Sequence, residues 1–439
     1  LRAAGRSRIL AARARSPSVF RLLRVLIRLG WPMRLLSPFL GRWNPFHPDR
    51  VRDPHPGYRV LRERAPVYRN PWLRVWVLSR YTDVSAVLRD PFFSVRRLES
   101  AAVRRLGAFQ KLRPDFRELL ERNLLMLDPP DHTRLRSLVA KAFTPRVVER
   151  LRPRIQALVD GLLDQAERRG EIDLMRDFAY PLPATVIAEM LGVPPADAPR
   201  FQSWSNDLAA LLDPFNAPGG LGAAQAAFVE LSAYFRALLA ERRREPREDL
   251  LSALATVEER AEALGEAELI SLGGLLLAAG YETTANLIGN AAVALLRHPD
   301  ERKRLAEDPG LITSAVEEFL RHESPVQATD RVVTRDFEIR GTRIRRGELV
   351  VLLLAAANRD PERFADPDRL DLGRRDNAHL AFGHGAHFCL GAQLARAETQ
   401  IAIGTLVRRF PDFEGPLRPL AWRPSFVLRG PAALPIRLR

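Results

Sequence analysis

The chain has 439 residues, 46% of them hydrophobic and 28% charged, with a formal net charge of +15. This is a globular composition, and it excludes a disordered or collagen-like chain. The single cysteine, Cys389, excludes an intramolecular disulfide and any cysteine-rich zinc module, which makes a cytoplasmic home the expectation.

The charge is unevenly placed. Residues 1–46 hold ten arginines and no acidic residue, so the remainder is close to balance. Lys111, Lys141 and Lys303 are the only lysines; the arginine skew reads as genome composition, and no nucleic-acid partner is expected. Within residues 17–30, Arg21, Arg24 and Arg28 share one helical face while Phe20, Leu23 and Ile27 share another. That pattern suits a peripheral contact with a membrane surface, and it suits equally a helix packed on the body or translated sequence upstream of the true start. The arginines interrupt any stretch long enough to span a bilayer or to serve as a secretory signal. The chain thus divides into a basic amphipathic extension, 1–45, and one domain, 46–439.

The turn-rich stretch from Pro45 to Gly57 marks the entry into that domain. Helical periodicity dominates the rest of the chain. Short strands are predicted at Val75–Leu78 and between Arg331 and Ala356, and the apolar run Leu349–Ala357 reads as one buried strand. Asp213–Gly222 reads as a flexible loop. The fold class is therefore mainly α with a small β region.

One helix stands out. From Ala267 to Arg297 the pattern runs without proline until His298-Pro299 stops it, roughly 46 Å at the usual rise. Its middle is apolar and then carries Gly280, Glu282, Thr283, Thr284 and Asn286. Two readings compete. The hydroxyl bonds back to its own helix with Glu282 turned to solvent, or the helix is kinked and opened over a cavity with an acid–alcohol pair that handles protons.

Cys389 sits in Phe382-Gly383-His384-Gly385-Ala386-His387-Phe388-Cys389-Leu390-Gly391, just ahead of a helical stretch. The glycines permit positive φ and close approach, and a helix N-terminus stabilises a thiolate. A buried structural cysteine leaves the glycines unexplained, and a zinc site with His384 and His387 lacks a fourth ligand. The third reading is an axial thiolate on haem iron.

This segment resembles the haem-binding loop of the cytochrome P450 family. Three further segments are similar to that family's motifs, in its order: Asp128 to Arg136, Ala279-Gly280-Tyr281-Glu282-Thr283-Thr284, and Glu318-Phe319-Leu320-Arg321. The resemblance covers roughly residues 46–439. It implies the P450 fold, with the long central helix over haem b (iron protoporphyrin IX). Cys389 would be the iron ligand. His132, Arg136, Arg331 and His387 would neutralise the propionates. Glu282 and Thr283 would deliver protons to dioxygen. Arg374 would join the Glu318–Arg321 pair, with Arg363 a decoy in Pro361-Glu362-Arg363-Phe364.

The implied activity is a haem-thiolate monooxygenase that inserts one oxygen atom of O2 into a lipophilic small molecule. Electrons would come from a separate ferredoxin or flavodoxin with its NAD(P)H reductase, docked on a basic face that includes Arg134 and Lys141. The alternatives are a peroxide-driven peroxygenase and a non-catalytic haem-binding protein. The family places the pocket at Leu98–Arg117, Leu275–Ala279, Val326–Ala328 and Ser425–Val427.

Overall fold

The computed structural model describes residues 43–106, 112–208, 220–258, 265–416 and 419–439; the amphipathic stretch 17–30 lies outside them. In chain order α1 (Pro48–Arg52) and α2 (His55–Arg64) lead to β1 (Val67–Arg69), β2 (Trp76–Leu78), α3 (Tyr81–Arg89) and β3 (Phe93–Ser94). Next come α4 (Ala101–Leu106), α5 (Pro114–Glu121), α6 (Asp131–Ala140), α7 (Pro145–Arg169) and β4 (Glu171–Asp173). Then come α8 (Pro181–Met190), α9 (Ala198–Leu208), α10 (Gly220–Arg244), α11 (Leu250–Glu258) and α12 (Glu266–Arg297). The chain finishes with α13 (Pro299–Glu307), α14 (Ile312–His322), β5 (Thr329–Val333), β6 (Phe337–Ile339), β7 (Thr342–Ile344), β8 (Leu349–Leu352), α15 (Leu354–Ala357), α16 (Ala392–Arg409) and β9 (Pro435–Arg437). Mainly helical with a small β region is what the sequence led us to expect.

Helix α12 is the spine. Glu266 and Glu268 occupy its first turn, where carboxylates suit the dipole, and Glu268 Oε2 accepts from the Gly265 N–H at 3.0 Å. At the other end His298 Nδ1 lies 2.9 Å from Ala294 O, and Pro299 then starts the next helix. The apolar middle is buried against α8, α9, α10 and α16 in one continuous core. A helix apolar on nearly every face must be enclosed in this way.

The β region is a five-stranded sheet in the order β1-β2-β8-β5-β3. Strands β5 and β8 run antiparallel, with Arg331 opposite Val350. The apolar run 349–357 divides: β8 ends at Leu352, and Leu354–Ala357 forms the helical turn α15. Apolarity alone does not fix secondary structure, and the alanines there favour helix over strand. The expected loop 213–222 is also shorter, since α10 already begins at Gly220; its residues 213–219 are not among those described.

Trp43, ahead of α1, is tied to the packed body. Its carbonyl accepts from Asn70 Nδ2 at 2.8 Å, and Arg429 donates to the carbonyls of Val51 and Arg52 at 2.8 and 3.1 Å. No helix among the described residues is long and apolar enough to cross a membrane.

Candidate active site

A cavity of about 460 Å³ separates the middle of α12 from the loop 382–391. Ala279, Gly280, Thr283 and Thr284 form one wall, and Phe382, Gly383, His387, Phe388 and Cys389 face them. Most of the remaining lining is aliphatic or aromatic, including Leu98, Leu275, Leu276, Val326, Ala328, Phe426 and Val427 from the expected pocket segments. Ser425 of that group lines a different, smaller cavity.

The loop owes its shape to two glycines. Gly383 and Gly385 have φ of 72° and 73°, a region that side chains disfavour. A Cβ on Gly385 would meet Leu88 O at 2.6 Å, so the loop can lie flat on α3 only with glycine there. The Cys389 N–H donates to Phe382 O at 2.9 Å, and Arg136 Nη2 donates to Phe388 O at 2.6 Å, which ties the loop to α6. Glu317 braces its entry: Arg396 donates to it at 2.6 and 2.8 Å, and His379 lies 3.2 Å away. The two neighbours outweigh burial and hold Glu317 down at about 2.

Cys389 is exposed, and the surface it exposes is cavity wall, with protein on its other sides. Burial pushes its thiol above the ordinary value, against the Gly391 amide and the charges of Arg136 and Arg396. The Gly391 amide favours the thiolate, as expected of the approach to a helix, but burial is the larger influence. The helix starts three residues later, at Ala392, and in this cavity the local donors lose to desolvation. A cation on the sulfur would reverse the balance.

The residues expected at the propionates do converge. The His132 and His387 rings lie 4.0 Å apart. Both ring nitrogens of His132 are buried without a hydrogen-bond partner among the described residues. Arg331, on β5, is also buried. His387 is pushed down to about 3, by burial first and then by His132, Arg331, Arg97 and Arg136. Arg331 is lowered to about 10, by burial and then by Arg97. Positive groups crowded enough to depress one another call for an anion among them. Arg97 is the member that sequence reasoning missed; it lies 3.2 Å from Asp330 and lines the same cavity. Its signal in the sequence is no more than an arginine beside the expected pocket segment. A flat group with two carboxylates and a thiolate-seeking metal fits this arrangement of an open sulfur, the unpartnered His132 imidazole and clustered arginines.

On α12 the structure separates the acid from the alcohol. Glu282 is buried and points away from the cavity, with Arg423 Nη1 donating to it at 2.8 Å. Thr283 faces the cavity, and its hydroxyl donates to Ala279 O at 2.6 Å. The helix is continuous from Glu266 to Arg297, so the expected local opening at Gly280 is not there. Gly280 instead serves packing, since a Cβ would lie 3.3 Å from Ile187 Cδ1.

Behind the loop, Glu318 and Arg321 are wholly buried and paired at 2.7 Å. Arg374 Nε lies 3.2 Å from Glu318, the expected third member. Arg363 pairs with Asp376 instead. Arg321 also donates to the carbonyls of Asn358, Pro367 and Arg369, so the pair fastens the strand region to the segment that feeds the cysteine loop. A buried pair survives when its remaining hydrogen bonds are filled in this way.

The comparisons with known proteins agree with this geometry. The family model described as Cytochrome P450 matches residues 71–309 and 310–417. Cytochrome P450 107B1 of Saccharopolyspora erythraea is 46% identical over 395 residues, 88% of this chain and 95% of that protein. The chain belongs to the cytochrome P450 family. A vitamin D(3) 25-hydroxylase of Pseudonocardia autotrophica is 44% identical over 393 residues, covering 88% of this chain and 94% of its own. Among solved structures, P450BioI in complex with hexadec-9Z-enoic acid ligated acyl carrier protein superposes with a TM-score of 0.82. It is 39% identical and covers 89% of this chain and 99% of its own. The protein is a cytochrome P450 monooxygenase, and its family carries a haem-thiolate cofactor.

Proposed function

We propose that the protein binds haem b through Cys389, and that it hydroxylates a neutral lipophilic molecule with electrons from a separate ferredoxin or flavodoxin and its NAD(P)H reductase in the cytoplasm. The observation that carries the reading is the sulfur of Cys389 facing an apolar cavity, with His132, Arg136, Arg331 and His387 gathered at the rim. Cys389 is the chain's one cysteine, which leaves none for thioether attachment, so the haem is held by ligation and contacts alone.

His132, Arg136, Arg331 and His387, with Arg97, would hold the two propionates through charge-assisted hydrogen bonds. Held by the Cys389 thiolate, haem would supply the activation of dioxygen. The net reaction takes one O2, two electrons and two protons, gives one oxygen atom to a C–H bond, and releases water. The residues manage the protons. Thr283 spends its own proton on Ala279 O, so the lone pairs of Oγ1 remain to accept from a water and fix its position over the reacting atoms. Glu282 receives protons from the Arg423 side, which is 28% exposed, and passes them to that water when the ion pair opens.

The apolar lining excludes bulk water and selects a lipophilic substrate. The vitamin D(3) hydroxylase and the acyl-bearing complex among the relatives support that class. Lys141 lies exposed beside the cysteine loop's partner helix, and it suits an acidic redox partner; Arg134 is already committed to Glu268.

The test is the reduced carbonmonoxy spectrum. The wild type is expected to show the red-shifted Soret band of thiolate ligation, and Cys389→His to lose it. A purified chain that holds zinc and no haem would sink the reading.

A further inference from the structure

One wall of the large cavity joins a residue of an expected pocket segment, Phe426, to residues outside all of those segments. Trp43, ahead of α1, lines it with Leu73, Val75 and Val351. Its ring is buried and meets Phe426 edge-on, with centroids 6.0 Å apart and planes at 88°. Phe46 stands edge-on to the same phenylalanine at 5.6 Å. Trp43 and Phe426 also line a second cavity of about 20 Å³, room for about one water. The other walls of that cavity include Arg50, Tyr58, Gln327 and Arg429. The two rings therefore stand between the large apolar chamber and a small one whose lining includes polar side chains.

The partition is braced on both faces. The Trp43 carbonyl is held by Asn70 Nδ2, and Asn70 Oδ1 accepts from the N–H groups of Trp72 and Leu73 at 3.0 and 2.8 Å. Behind it the Tyr58 hydroxyl donates to Gln327 Oε1 at 3.0 Å. Arg429 pairs with Glu323 and spends its remaining donors on Val51 and Arg52. Edge-to-face rings tied down in this way form a fixed stop. An alkyl chain that ends against them gains dispersion contacts. One that passes them must enter a space where Tyr58, Gln327 and Arg429 are already hydrogen-bonded, and it would desolvate them without offering new partners.

We infer that Trp43, acting with Phe426, is a specificity-determining residue that sets the greatest length of neutral chain the enzyme accepts. The inference rests on the lipophilic-substrate reading above. Trp43 enters from outside the segments that sequence motifs assign to the pocket, so a residue ahead of α1 takes part in substrate choice.

The experiment uses the haem-loaded full chain, as wild type, Trp43→Leu and Phe426→Leu. Each is titrated with a homologous series of straight-chain methyl esters, and the haem spin-state shift reports binding. A newly buried methylene strengthens binding about fourfold. Each variant is expected to extend the best-bound length by about two methylenes, so that the longer ester gains roughly sixteenfold over the shorter one. The carbonmonoxy band and haem content are expected to stay at the wild-type level. A length optimum that stays put in both variants overturns the inference. So does loss of the band in both, because the rings would then support the haem pocket instead of limiting the chain. A wild type that responds to no ester overturns the lipophilic-substrate reading itself.

Discussion

Glu398 offers a test of the interior that is independent of turnover. It lies on α16, is 2% exposed, and borders the cavity. Burial pushes its carboxyl up to about 8, and no charged neighbour among the described residues offsets the shift. The unfolded chain titrates this group near its ordinary value of about 4.3. Between those two values the folded state keeps a proton that the unfolded state has released. Stability from this group is therefore full at low pH and is lost as pH rises from about 4.3 to about 8, at up to about 1.4 kcal/mol per pH unit. By pH 7 the loss is on the order of 3 kcal/mol. Glu398→Gln keeps the shape and removes the titration. The variant is expected to match the wild type near pH 4 and to exceed its stability by about 3 kcal/mol at pH 7. Chemical unfolding followed by far-UV circular dichroism, with both proteins side by side across that range, isolates the effect, because every other titration cancels in the difference. A constant offset between the two curves would show that Glu398 has an ordinary pKa in the folded protein, and the burial argument would fail.

Thr283→Ala is expected to keep haem and substrate binding and still to consume reductant, but to yield less product per NAD(P)H and more peroxide. Full coupling in that variant would reduce Thr283 to a helix hydroxyl bonded to its own backbone. Arg97→Ala removes one donor from the propionate cluster and is expected to speed haem loss to an excess of a haem-scavenging apoprotein by roughly tenfold, the worth of one charge-assisted bond of about 1.5 kcal/mol. An unchanged transfer rate would assign Arg97 to Asp330 alone. Removing residues 1–42, which stops short of Trp43, is expected to abolish salt-sensitive sedimentation with anionic vesicles and to leave the carbonmonoxy band intact. Equal sedimentation of both forms would reject a membrane-surface role for the extension.

Local chemistry written into the chain determined a good deal. The glycines around Cys389 were legible because the required backbone leaves no room for a side chain. The long helix was legible because its period and its proline stop are local properties, as was the contact between Glu318 and Arg321, three apart on one turn. The division of the run 349–357 was not legible. An apolar run suits strand and buried helix alike, and only the neighbour in the sheet, β5, decided where β8 ends.

The electrostatics belonged to tertiary structure throughout. Glu282 and Thr283 are adjacent in sequence, and on a helix adjacent residues face different ways; Arg423, more than a hundred residues later, decided that the acid turns from the cavity. The thiol of Cys389 goes up because desolvation depends on what the whole fold places around it, while the helix dipole that sequence suggested acts only over its first turn. Arg97 joins the cluster around His132 and His387, and Trp43 joins the cavity wall, through contacts between segments far apart in the chain. Sequence thus specified the chemistry of each motif, because that depends on residue type and spacing. Which charges share a low-dielectric space, and which rings close a cavity, was set by packing, because burial and Coulomb interactions depend on distance in space and not along the chain.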